Sequence, residues 1–142
     1  CLPRKGSVMA YSTTLLNVDL TAAVSATAGA AVHIPLSTKS LALQCVFTYT
    51  SGGTSAKAYV QTTFDDGATW VDIACFAATT ASLQRLYNLV SATPKTSIVT
   101  PTDGSLTDNT SVDGLIGSQL RVKYVSVGTY VATNLKVTAL IK

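Results

Sequence analysis

From residue 40 onward the apolar side chains fall on every second position, and that period disfavours a helical protein before anything else is read. Residues 40–50 (SLALQCVFTYT) place Leu41, Leu43, Cys45, Phe47 and Tyr49 on one face and Ala42, Gln44, Val46 and Thr48 on the other. This is the alternation of a strand with one buried face. Ser51-Gly52-Gly53 ends it with turn chemistry. Residues 56–64 (AKAYVQTTF) and 69–77 (TWVDIACFA) alternate on either side of Asp65-Asp66-Gly67, which predicts a β-hairpin. Residues 83–90 (LQRLYNLV) fit a strand or a short helix by periodicity, and their β-capable flanks favour the strand. Pro94 and Pro101 confine residues 96–100 to a short or edge strand, and a polar loop follows over 102–117. Residues 119–127 bury Leu120, Val122 and Tyr124 between Arg121 and Lys123; Gly128 turns the chain, and 134–141 closes it with Leu135, Val137, Ala139 and Ile141 inward. The chain has no Glu, and its polar share is mostly Thr and Ser rather than helix formers. The expected fold is all-β, an antiparallel β-sandwich or jelly roll of about eight strands.

The N-terminal part reads differently. Met9-Ala10 looks like a translation start, so residues 1–8 (CLPRKGSV) are expected to be an extension or tag-like segment. They lack the apolar stretch of a secretory signal. Residues 9–31 are rich in Thr, Ala, Ser and Val with few large apolar side chains, which predicts an extended arm containing at most a strand or two. The sandwich is then expected over 32–142 as one domain, since 142 residues bury one core and not two.

Charge narrows the partners. A net charge of +3, spread thinly from Arg4 to Lys142, makes no clustered basic face, so nucleic acid is not expected as a partner. No apolar run approaches the roughly 20 residues of a membrane helix, so no membrane partner is expected either. Only 12% of residues are charged, a composition suited to packing against other protein. Cys1, Cys45 and Cys75 are odd in number and lack C-x-x-C spacing, so neither a zinc site nor a disulfide framework follows. Cys45 and Cys75 sit in apolar strand stretches and read as buried thiols; a bridge between them is the other arrangement left open.

One motif stands out. Thr63-Phe64-Asp65-Asp66-Gly67-Ala68-Thr69-Trp70 has the S/T-x-D-x-G-x-x-W spacing of an Asp-box. Asp65 is placed to accept backbone N–H groups across the turn, Gly67 to supply a positive φ, and Trp70 to fold over the hairpin. Thr63, Asp65, Gly67 and Trp70 are therefore a structural hairpin clamp. A sialidase needs an arginine cluster and acidic partners, whereas this chain has Arg4, Arg85 and Arg121 and no Glu.

Other chemistry finds no footing in the sequence. His33 is the sole histidine and has no nucleophile or carboxylate near it in sequence. Asp65 and Asp72 are the pair nearest to a two-carboxylate arrangement, without an apolar pocket to separate their roles. Asp103, Asp108 and Asp113 share a loop but not the spacing of an EF-hand. No catalytic residue, cofactor or metal site is expected. Tyr49, Tyr59, Tyr87, Tyr124 and Tyr130 are expected to fill the core and its rims, with a sugar-binding aromatic platform as the competing reading.

The run AYVQTTFDDGATWVDIACFAATT, the run TPTDGSLTDNTSVDGLIGSQLRVKYVSVGTY and the closing strand resemble small virion proteins of tailed bacteriophages. In these a D-G-x-x-W-x-D-I hairpin is followed by an L-R-V-K-Y strand and a T-Y turn, and the resemblance covers roughly residues 30–142. It implies a non-enzymatic structural protein of the virion, assembled in the host bacterial cytoplasm, with a capsid decoration or cement protein as the leading expectation. The alternatives are a tail, neck or fibre-associated protein, or a carbohydrate-binding module for attachment to a host surface. The implied partners are the major capsid protein or other virion proteins and further copies of the chain, as a homo-oligomer such as a trimer. Tyr11, Leu15, Leu16, His33, Leu106 and Leu115 would be the lattice contacts, and an interchain disulfide from Cys1 or Cys45 would be a reinforcement.

Overall fold

A computed structural model of the chain describes residues 10–142. It contains eleven strands: β1 (Tyr11–Leu20), β2 (Val24–Ala28), β3 (Val32–His33), β4 (Ser40–Thr48), β5 (Ser51–Gly52), β6 (Ser55–Thr63), β7 (Val71–Ala78), β8 (Leu83–Val90), β9 (Gln119–Val127), β10 (Tyr130–Val131) and β11 (Thr133–Ile141). One sheet has the order β1-β11-β4-β8 and the other β2-β9-β6-β7, with β3 continuing β2 along β9 and β5 pairing β10. All pairings are antiparallel.

Taking β2 and β3 as one broken strand and leaving out the short β5–β10 ladder reduces the eleven to eight. Their pairing is then first with last, second with seventh, third with sixth and fourth with fifth. That nesting is a jelly roll, within the all-β class expected, with three more strands than the eight anticipated.

The alternation in the sequence builds the core directly. Leu41, Leu43, Cys45 and Phe47 of β4 and Leu135, Val137, Ala139 and Ile141 of β11 are all buried. From the other sheet Ala56, Ala58 and Val60 of β6 and Leu120 and Val122 of β9 join the same cluster. Each fully buried large aliphatic side chain contributes about 1.5–3 kcal/mol relative to exposure. The small residues of β6 let the sheets approach, while Leu and Phe on the facing strands fill the gap.

The N-terminal segment departs from expectation. Residues 11–28 are not a separate arm: β1 pairs with β11 along its whole length and β2 pairs with β9, so the domain boundary at residue 32 does not hold. Leu15, Leu16 and Leu20 are buried, which removes Leu15 and Leu16 as lattice contacts. A bulge between Thr14 and Leu16 lets two consecutive leucines enter the core and breaks the period that would have marked the strand.

Residues 91–118 form one long connection without a strand, so the edge strand expected at 96–100 is absent. Pro94 and Pro101 lack N–H donors, and Ile98 is 98% exposed, so nothing packs that segment into a sheet. Further on, the connection runs beside the free edge of β7. Asp72 N–H donates to Thr102 O at 2.8 Å, Cys75 N–H to Thr110 O at 2.9 Å, and Val112 N–H to Ile73 O at 2.8 Å. The edge is thereby covered against pairing with another chain.

Candidate functional site

The turn from β6 to β7 is held by side chains. Thr63, buried at the end of β6, donates its hydroxyl to Asp65 Oδ1 at 2.9 Å and accepts the Gly67 N–H at 2.9 Å. Asp65 accepts the Thr69 N–H at 2.8 Å and the Thr69 hydroxyl at 2.6 Å. Those bonds, Thr69's first, hold its carboxyl below the usual carboxylate range. Gly67 sits at φ 94° and Asp66 at φ 58°, the first tolerated because it lacks a Cβ and the second because Asp accepts the left-handed region.

Trp70 follows this turn and is only half-buried. Its ring lies beside Gly67 and beneath the Arg121 guanidinium, whose carbon is 4.3 Å from the ring centroid. The β6–β9 register, which sets Gln61 opposite Arg121, makes that contact. Arg121 Nε–H donates to Gln61 Oε1 at 2.8 Å, fixing the guanidinium plane over the indole as a cation–π pair. Burial shifts the Arg121 pKa downward, with Asp103 and Asp72 opposing the shift.

Beneath this pair lies the most heavily bonded carboxylate among the described residues. Asp72 is 1% exposed. Its oxygens accept the Gln61 Nε2 amide, the Thr102 hydroxyl and the backbone N–H groups of Gly104, Ser105 and Leu106, at distances from 2.8 to 3.1 Å. A buried carboxylate surrounded by donors is tolerable, and here every donor but the Gln61 amide comes from a loop thirty or more positions away. Asp103 stands above it, accepting Gln61 Nε2 at 2.6 Å and Lys123 Nζ at 3.1 Å, and both hold its carboxyl below the ordinary range. Trp70, Pro101, Thr102, Asp103 and Arg121 together line an open cleft of about 530 Å³ with the turn residues 67–69.

The other expected sites disperse. Tyr11 is 37% exposed on β1, opposite Ile141. His33 is exposed on β3, opposite Gln119. Leu106 is half-buried in the long connection, and Leu115 packs against the core. Cys1 lies outside the described residues. Cys45 is buried between the sheets and unbridged, so it is unavailable for an interchain bond, and Cys75 is likewise buried and free. Asp103, Asp108 and Asp113 do not converge. Asp108 pairs with Lys57 at 2.8 Å, while Asp113 accepts the Val90 N–H at 2.6 Å and the Thr93 hydroxyl at 2.9 Å. No metal-binding group of three such side chains occurs among the described residues.

The tyrosines make no platform. Tyr130 packs edge-on to Phe47 and Tyr49, Tyr59 is buried, and Tyr87 lies tilted on Phe76 at 5.0 Å with its hydroxyl donating to Cys75 O. What the sequence reading passed over is the set Gln61, Asp72, Asp103 and Arg121 around Trp70. Its one local signal was Asp72, a charged residue inside the apolar run VDIACF. Searches against protein-family models, curated proteins and solved structures find no match to this chain.

Proposed function

We propose that the chain is a non-enzymatic structural protein of a bacteriophage particle, of the head decoration or cement type, which docks through the outer face of the β1-β11-β4-β8 sheet. The observation that carries this reading is the composition of that face. Two cross-strand rows, Ser12–Leu140–Ala42–Asn88 and Thr14–Thr138–Gln44–Leu86, contain no ionisable side chain. The next row, Asn17–Lys136–Val46–Gln84, adds one. Leu86 is 67% exposed and rims a groove of about 230 Å³ with Ala42, Gln44 and Leu140. A partly apolar sheet face whose charges are confined to the rows of Lys136 and Asp19 costs little to desolvate over its uncharged rows against another protein surface.

The resemblance in the hairpin and the L-R-V-K-Y strand supports the same reading, as does the jelly roll, a fold shared by viral capsid and lectin domains. The mechanism is mass action: binding the assembled shell and not the free subunit favours the shell, and many copies add avidity. Further copies of the chain, as a trimer, would multiply the contacts.

The test is co-sedimentation of the purified protein with particles assembled from the major capsid protein of the same genome, followed by their thermal rupture. Binding with a raised rupture temperature is expected, and Leu86→Lys with Gln44→Lys should abolish both while leaving the fold intact. Failure of the unaltered protein to co-sediment removes the cement reading.

A further inference from the structure

We propose that the cleft between the β6–β7 turn and the 101–104 segment binds a neutral saccharide, with Trp70 and Pro101 as its apolar floor, Arg121 as donor and Asp103 as acceptor. The inference concerns a different surface from the docking face and does not depend on it.

The polar groups of the cleft are half-used in a way that leaves complementary capacity outward. Arg121 commits Nε to Gln61, but its Nη2 lies 4.0 Å from Asp103 Oδ1, beyond hydrogen-bond reach. Its terminal N–H groups donate to no side chain or carbonyl among the described residues. Asp103 receives its bonds at Oδ1, while Oδ2 accepts none among the described residues, and the side chain is 53% exposed. Thr69 and Thr102 direct their hydroxyl protons inward, to Asp65 and Asp72, which leaves their oxygens as acceptors. A guanidinium N–H donor beside an open carboxylate oxygen matches adjacent hydroxyls of a sugar ring, each of which both donates and accepts.

Charge selects among ligands. The two charged side chains that line the cleft, Arg121 and Asp103, are of opposite sign, so its lining carries no net charge to select an anion or a cation. The half-buried indole and Pro101 supply the apolar surface that C–H faces of a pyranose require. The volume of about 530 Å³ falls within the range of small-molecule sites. Preorganisation comes from beneath, where Asp72 clamps the backbone at Gly104, Ser105 and Leu106, so little ordering remains for binding to supply.

Trp70 is the sole tryptophan, so fluorescence excited beyond the absorption of the six tyrosines reports on this cleft. The test titrates the protein with maltohexaose, cellohexaose, chitotetraose, mannotriose and, as an acidic control, 3′-sialyllactose, to about 20 mM. A saturable change with at least one neutral sugar is expected. Asp103→Asn and Arg121→Lys should each weaken it roughly tenfold or more, while Tyr87→Phe leaves it unchanged. Circular dichroism and Tm identify any variant that fails to fold, and Thr69→Val then serves as a second probe of the cleft. No saturable change with any neutral sugar overturns the proposal. So does preference for the acidic one, or a response that Asp103→Asn, Arg121→Lys and Thr69→Val all leave intact.

Discussion

Both carboxylate oxygens of Asp72 accept the backbone N–H of Gly104, at 2.9 and 2.8 Å, across thirty-two positions of the chain. Gly104 has φ 82°, a conformation that turns successive N–H groups toward one point, and the N–H groups of Ser105 and Leu106 follow it. Asp72→Ala would leave these part-buried donors without their acceptor and should destabilise the protein by about 1–3 kcal/mol. Asp72→Asn keeps one acceptor oxygen and should cost less. Hydrogen exchange should show residues 102–106 losing protection first. Unchanged exchange there would mean the connection is held by other contacts.

Leu16 of β1 and Leu86 of β8 separate a core role from a surface one. Leu16 is 6% exposed and Leu86 is 67% exposed. Leu16→Ala should therefore cost about 2–5 kcal/mol in urea denaturation, and Leu86→Ala within about 0.5 kcal/mol of nothing. Removal of residues 1–20 should abolish folding, because it strips β11 of its outer partner and opens the core around Leu20 and Val137. A truncated protein with a native Tm would restore the detachable arm.

These two cases show where the sequence was legible. Leu41 to Phe47 alternate without interruption, so their face, their burial and the strand itself could be read directly. Leu15 and Leu16 could not, because a bulge places neighbours on one side and defeats a period-two count. The Thr63–Asp65–Thr69 bonding of the turn is local and was readable in outline from the motif spacing. The cleft was not: Arg121 meets Trp70 only through the register of β9 on β6, and Asp72 finds its donors in a loop whose path no local propensity records.

Three exposed or partly exposed carboxylates tie pH to stability. Asp113 is held below its ordinary value of 3.8 chiefly by the Val90 N–H, Asp103 by the Gln61 amide and then Lys123, and Asp65 by Thr69. A depressed folded-state pKa means that the unfolded chain binds the proton first as pH falls. Their contribution is therefore complete at neutral pH and is lost from just above 3.8 downward through the folded-state values. Urea midpoints should fall over that window, and Asp113→Asn should flatten the fall while lowering the neutral-pH midpoint. Parallel curves for the two proteins would show that Asp113 carries no such linkage.

At the alkaline end the sign reverses and the group is a thiol. Burial between the sheets raises the Cys45 pKa from 9.0 to about 12, and burial raises that of Cys75 as well. The unfolded chain releases the Cys45 proton first as pH rises, so the neutral thiol's contribution is complete below 9.0 and declines between 9.0 and about 12. Over three units this is on the order of 4 kcal/mol. Cys45→Ala should lower stability at pH 7 through lost packing yet lose less between pH 9 and pH 12 than the unaltered protein. In a Cys1→Ser background a thiol reagent should modify neither Cys45 nor Cys75 in the native state and both in denaturant, since the thiolate is the reactive form and neither sulfur reaches solvent. Rapid native-state modification of Cys45 would contradict its place in the core and reopen the interchain bridge.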